Sequence, residues 1–194
     1  MLDVALKFLA DELNAHLARR LGAAGADKAL ATALVDDSGK WVLPEGRLGL
    51  TLVAIDEERT LREQLPQRVL LDGNQVELPP PLKVNLVVLL AARFNLYDQA
   101  LGFLAQALTF FQAHPRFGSD THAGLDARIE SLSIEMLAYT PETLNQTWAC
   151  LGAKYLPSAL YRVRLLALQD REPQAVGRPI EMITTTLADR MVAR

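Results

Sequence analysis

The sequence predicts an α+β domain whose mixed or antiparallel sheet of about four strands is packed by three helices. Three observations lead there. The run from Lys83 to Phe94 has a strand's composition and is apolar on both faces. The segments Arg47 to Asp56 and Ser158 to Leu168 alternate with period two. Segments of helical period interleave with these in the order helix, strand, strand, helix, strand, helix, strand, which suits an α+β arrangement.

The chain has 194 residues, a formal net charge of -3 and 50% hydrophobic residues. That length suits one domain with a tail, since domains run to roughly 100–200 residues. A mildly acidic chain lacks the clustered Lys and Arg that sequence-independent nucleic-acid binding requires, so no nucleic-acid partner is expected. No stretch reaches the ~18–20 uninterrupted apolar residues of a membrane span, so no membrane partner is expected either. Asp3, Lys7, Asp11 and Glu12 interrupt the N-terminal apolar pattern and argue against a secretory signal. Cys150 is the only cysteine, which allows no internal disulfide and fits a reducing cytoplasm.

In the first helix, Leu2, Leu6, Leu9, Leu13, Leu17 and Leu21 form one stripe. Arg19 and Arg20 suit its carbonyl end, and Gly22 can close it. The Ala-rich stretch that follows is expected to add a short helix, and Asp36 to Gly39 a turn. The strand Arg47 to Asp56 places Leu48, Leu50 and Leu52 on one face and runs into a charged segment. Asp72-Gly73-Asn74 is a turn signal, and Pro79 to Pro81 lead as an extended arm into the apolar strand.

Asn95 is placed to cap the next helix, with Asp98 in its first turn. Tyr97, Leu101, Leu104, Leu108 and Phe111 form a stripe flanked by Ala100, Phe103, Ala107 and Phe110. So wide an apolar arc places this helix across a sheet or between partners. His114-Pro115 ends it, and a loop follows. The next strand is expected to turn Leu132, Ile134 and Met136 inward. Thr140, Pro141 and Glu142 open the third helix, Leu144, Trp148 and Leu151 line its inner face, and Gly152 can stop it. From 170 the rhythm breaks, so the division expected is a domain over 1–169 and a C-terminal tail over 170–194 able to act as an interaction arm.

Candidate catalytic chemistry is thin. His114 and His122 straddle a loop near Asp120 and Asp126, but the spacing matches no standard zinc pattern. Cys150 has no histidine at a telling distance and reads as a small buried hydrophobe. No glycine-rich phosphate loop and no nucleophile elbow occurs. No catalytic residue, metal site or cofactor is expected, and the chain is not expected to be an enzyme.

Two features point toward assembly. Arg162 and Arg164 alternate with leucines on one strand face, the kind of residue interfaces favour. The acidic strand end at Glu57 and Glu58 can find arginine partners. Residue chemistry therefore leaves two readings open: a subunit acting by protein–protein contact, or a small-molecule or nucleotide-binding regulatory domain.

Two long motifs narrow this. Pro80 and Pro81, then Ala92, Phe94 and Tyr97, then Phe110, Phe111, Gln112, Pro115 and Phe117 make the first. Leu144, Trp148 and Leu151, the run Gly152 to Ser158, and Tyr161, Val163 and Arg164 make the second. With Glu57, Glu58 and Arg62 at the first strand's end, the chain from 1 to about 169 resembles the cap, or tail-terminator, family of phage-tail-like contractile injection systems of the antifeeding-prophage and virulence-cassette type. It departs from that family's pattern in its short tail and at Arg93 and Leu96.

The resemblance implies a phage tail-terminator-like fold and a structural, non-enzymatic role. A homo-oligomeric ring, a hexamer by that likeness, would end the inner tube and anchor the last sheath layer. Its partners would be copies of itself and the tube and sheath proteins, in the cytoplasm and then in a particle that can be released. A ring needs two complementary patches per copy. Glu57, Glu58 and Arg62 on one side and Arg162 and Arg164 on the other are the interface residues expected.

Overall fold

A computed structural model describes residues 1–58, 67–71, 74–78, 82–126, 128–168 and 175–177, with side chains over 1–58, 83–126 and 128–165. Three α-helices, α1 (Leu2–Leu21), α2 (Tyr97–Ala113) and α3 (Pro141–Leu151), accompany nine strands. The strands are β1 (Ala29–Ala31), β2 (Arg47–Glu57), β3 (Gln67–Leu71), β4 (Asn74–Leu78), β5 (Leu82–Arg93), β6 (Arg116–Gly118), β7 (Ser131–Met136), β8 (Ser158–Leu168) and β9 (Ala175–Gly177).

Two units form. The larger comprises 1–62 and 81–169 and holds a six-stranded sheet in the order β1-β2-β5-β8-β7-β6. β1 runs parallel to β2, and every other pairing is antiparallel. The smaller comprises 63–80 and 170–194 and holds an antiparallel sheet in the order β3-β4-β9. Of the turn signal at 72–74, Asn74 opens β4 opposite Leu71 of β3, and Asp72 and Gly73 lie outside the described residues. A strand from the segment after 169 completes this sheet, so the smaller unit draws residues from both sides of the boundary read from the sequence.

The two apolar faces of β5 explain its inner position. On one face Val84, Leu86, Val88, Leu90 and Ala92 join Leu9, Leu13 and Leu17 of α1 and Phe110 and Phe111 of α2 in one core. On the other, Leu89 and Ala91 meet Leu160, Trp148, Leu34 and Leu43 in a second, smaller core. Each fully buried leucine contributes about 1.5–3 kcal/mol. A strand dressed this way on both sides is stable only with covered faces.

The helix termini follow local chemistry, with one exception. Gly22 closes α1 at φ 61, a left-handed value that favours glycine. Thr140 Oγ1 accepts from the Thr143 N–H at 3.3 Å, Pro141 stands first in α3, and Gly152 ends it at φ 64. Asn95 does not cap α2. The helix begins one residue later than expected, so Leu96 holds the cap position without a side-chain hydrogen bond.

Other differences concern short or terminal pieces. The strands β1 and β6, three residues each, widen the expected four-stranded sheet to six. The short helix expected in the Ala-rich stretch is a single 3-10 helix, Gly22–Gly25, and β1 follows it. Met136, expected to point inward, ends β7 with 65% exposure. Cys150 is exposed rather than buried. On α2 the buried residues are Ala100, Leu104, Ala107, Phe110 and Phe111, which leaves Tyr97 and Leu101 outside.

Candidate assembly interface

The second face of the sheet is divided. At one end α3 covers it: Trp148 is buried, with Leu144 and Leu151 packed beside it. The connection from α3 into β8 is the Gly152 to Ser158 motif. Tyr155 meets Trp148 edge-on at 5.5 Å, and the Pro157 carbonyl accepts from the Ala92 N–H at 2.9 Å. The motif therefore fixes where β8 joins β5. Arg93 secures the neighbouring corner, donating to the Leu43 carbonyl and lying over the Trp41 ring at 4.9 Å.

At the other end the same face turns polar. The register sets Val87 opposite Arg162 and Asn85 opposite Arg164 on β5, and Glu135 opposite Arg162 and Ser133 opposite Arg164 on β7. Arg162 Nη1 stands 2.7 Å from Glu135 Oε1, and Arg164 Nη2 reaches the same oxygen at 3.2 Å. Arg164 Nε is 4.0 Å from Glu58 Oε2, close enough for attraction and too far for a hydrogen bond. Asn85 Nδ2 donates to that Glu58 oxygen at 3.1 Å.

Of the interface residues expected from the sequence, Glu58, Arg162 and Arg164 thus lie in one network within the chain. Glu57 is exposed at the end of β2, opposite Val84. Arg62 lies outside the described residues. Sequence reasoning missed Glu135 and Asn85 as partners. The signal that finds them is register, because cross-strand neighbours stand about 5 Å apart while remote in sequence.

Apolar surface lies nearby. A groove of about 470 Å³ is lined by Leu108, Phe111, Pro115, Ile134, Met136 and Tyr161. Burial pushes the Tyr161 hydroxyl up to about 12, so it stays protonated at any ordinary pH. Leu96, Tyr97 and Leu101 expose further apolar surface at the start of α2. Among the described residues no group of three His, Cys, Asp or Glu is placed to hold a metal ion, and no helix is long and apolar enough to cross a membrane. His114 Nδ1 lies 3.0 Å from the Phe110 carbonyl, and His122 packs edge-on to Phe117 at 5.1 Å.

The sequence profile of the Pvc16 N-terminal domain matches residues 5–182. The chain belongs to the Pvc16 N-terminal domain family. Its fold is similar to a PVC sheath/tube terminator of an extracellular contractile injection system in the extended state, with a TM-score of 0.62 and 17% identity over 100% of this chain and 65% of that one. It is also similar to the anti-feeding prophage cap, a tube-terminating cap, with a TM-score of 0.64 and 17% identity over 96% of this chain and 61% of that one. This chain therefore spans just under two thirds of the length of each of these two solved chains. No curated protein matches by sequence. At such identity the likeness is one of fold: this chain has the α+β, mixed-sheet architecture of those terminators.

Proposed function

We propose that this chain is the cap subunit of a contractile injection system. It forms a ring, a hexamer in this reading, that ends the inner tube and anchors the last sheath layer. The observation carrying the proposal is that two solved chains sharing the fold across nearly all of this one are terminators, one of sheath and tube and one of tube. The work is structural: the subunit acts by contact with copies of itself and with tube and sheath proteins, without catalysis. It assembles in the cytoplasm and leaves with the particle. The other reading open from the sequence, a small-molecule or nucleotide-binding module, gains nothing from these matches.

Glu57, Glu58, Arg62, Arg162 and Arg164 remain the proposed contact residues, and Glu135 joins them. Because Arg162 and Arg164 share one half-exposed carboxylate, a neighbour's acidic group can take over one of them at little cost. Such an exchange sets register more than affinity.

The test uses the purified chain with isolated tubes, read by sedimentation and electron microscopy. Rings, either free or at tube ends, are expected. Arg164→Glu is expected to reduce them while leaving the thermal melt within a few degrees of wild type, roughly the cost of a surface ion pair. Subunits that stay monomeric and ignore tube ends would refute the proposal.

A further inference from the structure

The two ends of α1 are held unequally. Its first part is buried at Ala5, Leu6, Phe8, Leu9, Ala10 and Leu13, whereas after Asn14 only His16 and Leu17 are buried. Asn14 marks the boundary. Its carboxamide donates to the Ala29 carbonyl at 2.9 Å and accepts from the Ala29 N–H at 2.7 Å, which ties α1 to β1 at one point. Beyond that tie the His16 ring meets α2, 4.9 Å from the Phe110 ring and 6.4 Å from the His114 ring. A helix end held by so few buried side chains is where local opening begins.

His16 is ill placed to carry a charge. Its Nε2 is sealed from solvent and has no hydrogen-bond partner among the described residues. An imidazolium has N–H donors on both ring nitrogens. Whichever nitrogen takes the proton, a donor at Nε2 is then buried without an acceptor, a costly arrangement.

The surroundings add only positive charge. Arg19 and Arg20 follow His16 by three and four residues, which brings them beside it on the helix. From α2, His114 faces it, with Nδ1 3.0 Å from the Phe110 carbonyl and the other ring nitrogen left to take a proton. The 3-10 helix Gly22–Gly25 and the strand β1, which also pack against α1, carry no titratable side chain. Glu12, one turn earlier, makes no ion pair among the described residues. Burial first, then Arg20, Arg19 and His114, hold the His16 imidazole below its ordinary 6.5, and no carboxylate acts against them.

We propose that His16 is an acid-operated latch between α1 and α2: on acidification it takes up a proton and releases the end of α1 beyond Asn14, while the sheet stays folded. Opening carries the imidazolium into water and away from His114. It also uncovers Leu17 and Phe110, both buried in the closed form. The open form binds the proton more readily than the closed one, so its population rises as pH falls, by up to about tenfold per pH unit for one proton. The inference is independent of the cap reading, since a chain that never met a tube would still hold this corner.

The test is hydrogen exchange on the full chain from pH 7.5 to 5.0, with each rate corrected for the intrinsic pH dependence of exchange. Amides at 17–21 are expected to lose protection about tenfold or more, and amides at 86–90 in β5 less than about threefold. His16→Gln is neutral throughout and is expected to hold the loss at 17–21 below about twofold. His16→Leu, a second neutral variant that leaves no polar group in the corner, is expected to respond in the same way. Protection at 17–21 that is unchanged at pH 5.0 overturns the proposal. So does a loss that persists in the folded His16 variants, which would assign it to other groups. An equal loss at 86–90 overturns it as well, because the whole domain and not the latch would then be opening.

Discussion

Replacing Glu135 with alanine removes the acceptor that Arg162 and Arg164 share. The three side chains are 48%, 38% and 43% exposed, so water and salt compete for each contact. Exposed ion pairs contribute about 0.2–1 kcal/mol each. Two such pairs, plus a few tenths of unrelieved repulsion between neighbouring guanidiniums, come to about 1–2 kcal/mol. Arg164 keeps Glu58 at 4.0 Å, which limits the loss. For a domain of this size, 1 kcal/mol shifts the melting temperature by about 2–4 °C, so Glu135→Ala should melt about 3–6 °C lower in dilute buffer. At 1 M salt the screening length falls to about 3 Å, and the difference should shrink below about 2 °C. Scanning calorimetry at both salt concentrations reads the outcome. A loss beyond about 10 °C, or one that persists in 1 M salt, would mean the network supports the fold, and the partner exchange proposed at that surface would lose its basis.

Gly25→Ala should cost about 1–3 kcal/mol by urea titration, because a Cβ there would stand 2.2 Å from the Leu17 carbonyl oxygen in backbone that has little room to shift. Trp148→Ala should cost about 3–5 kcal/mol, since this residue, 5% exposed, closes the second core; a change below 1 kcal/mol would show that α3 is dispensable there. Burial holds the His16 imidazole below its ordinary 6.5, with Arg20, Arg19 and His114 adding to the effect. The unfolded chain therefore takes up the proton first. The stability due to neutral His16 is full above 6.5 and declines as pH falls below it. His16→Gln should flatten the dependence of the urea midpoint between pH 7.5 and 5.5, and an unchanged slope would assign that dependence to other groups.

Long elements with two consistent cues were legible in the sequence. The apolar faces of β5 announced an inner strand, and Thr140, Pro141 and Gly152 marked both ends of α3. Three-residue strands were not, because β1 and β6 are too short to show a period and are held by neighbours remote in sequence. The Asn95 cap failed by a single residue, the usual scale of ambiguity where a chain enters a helix. At the polar face the arginines were visible as candidates, since charge amid leucines stands out in one strand. Their partners were not, because Glu135 and Asn85 come beside them only through the register of three strands. Charge pattern within one segment carries no information about which strand will lie next to it.

The placement of β5 has a mechanical consequence. Its hydrogen bonds run roughly perpendicular to the strand, so a pull along its length loads the ladders to β2 and β8 simultaneously, in shear. Leu82 to Arg93 would have to slip past Arg47 to Glu57 on one side and Ser158 to Leu168 on the other before yielding. The outer strands β1 and β6, held by three register pairs each, can peel away one bond at a time. The domain is toughest under tension along its middle strand and weakest to a sideways tug at its rims.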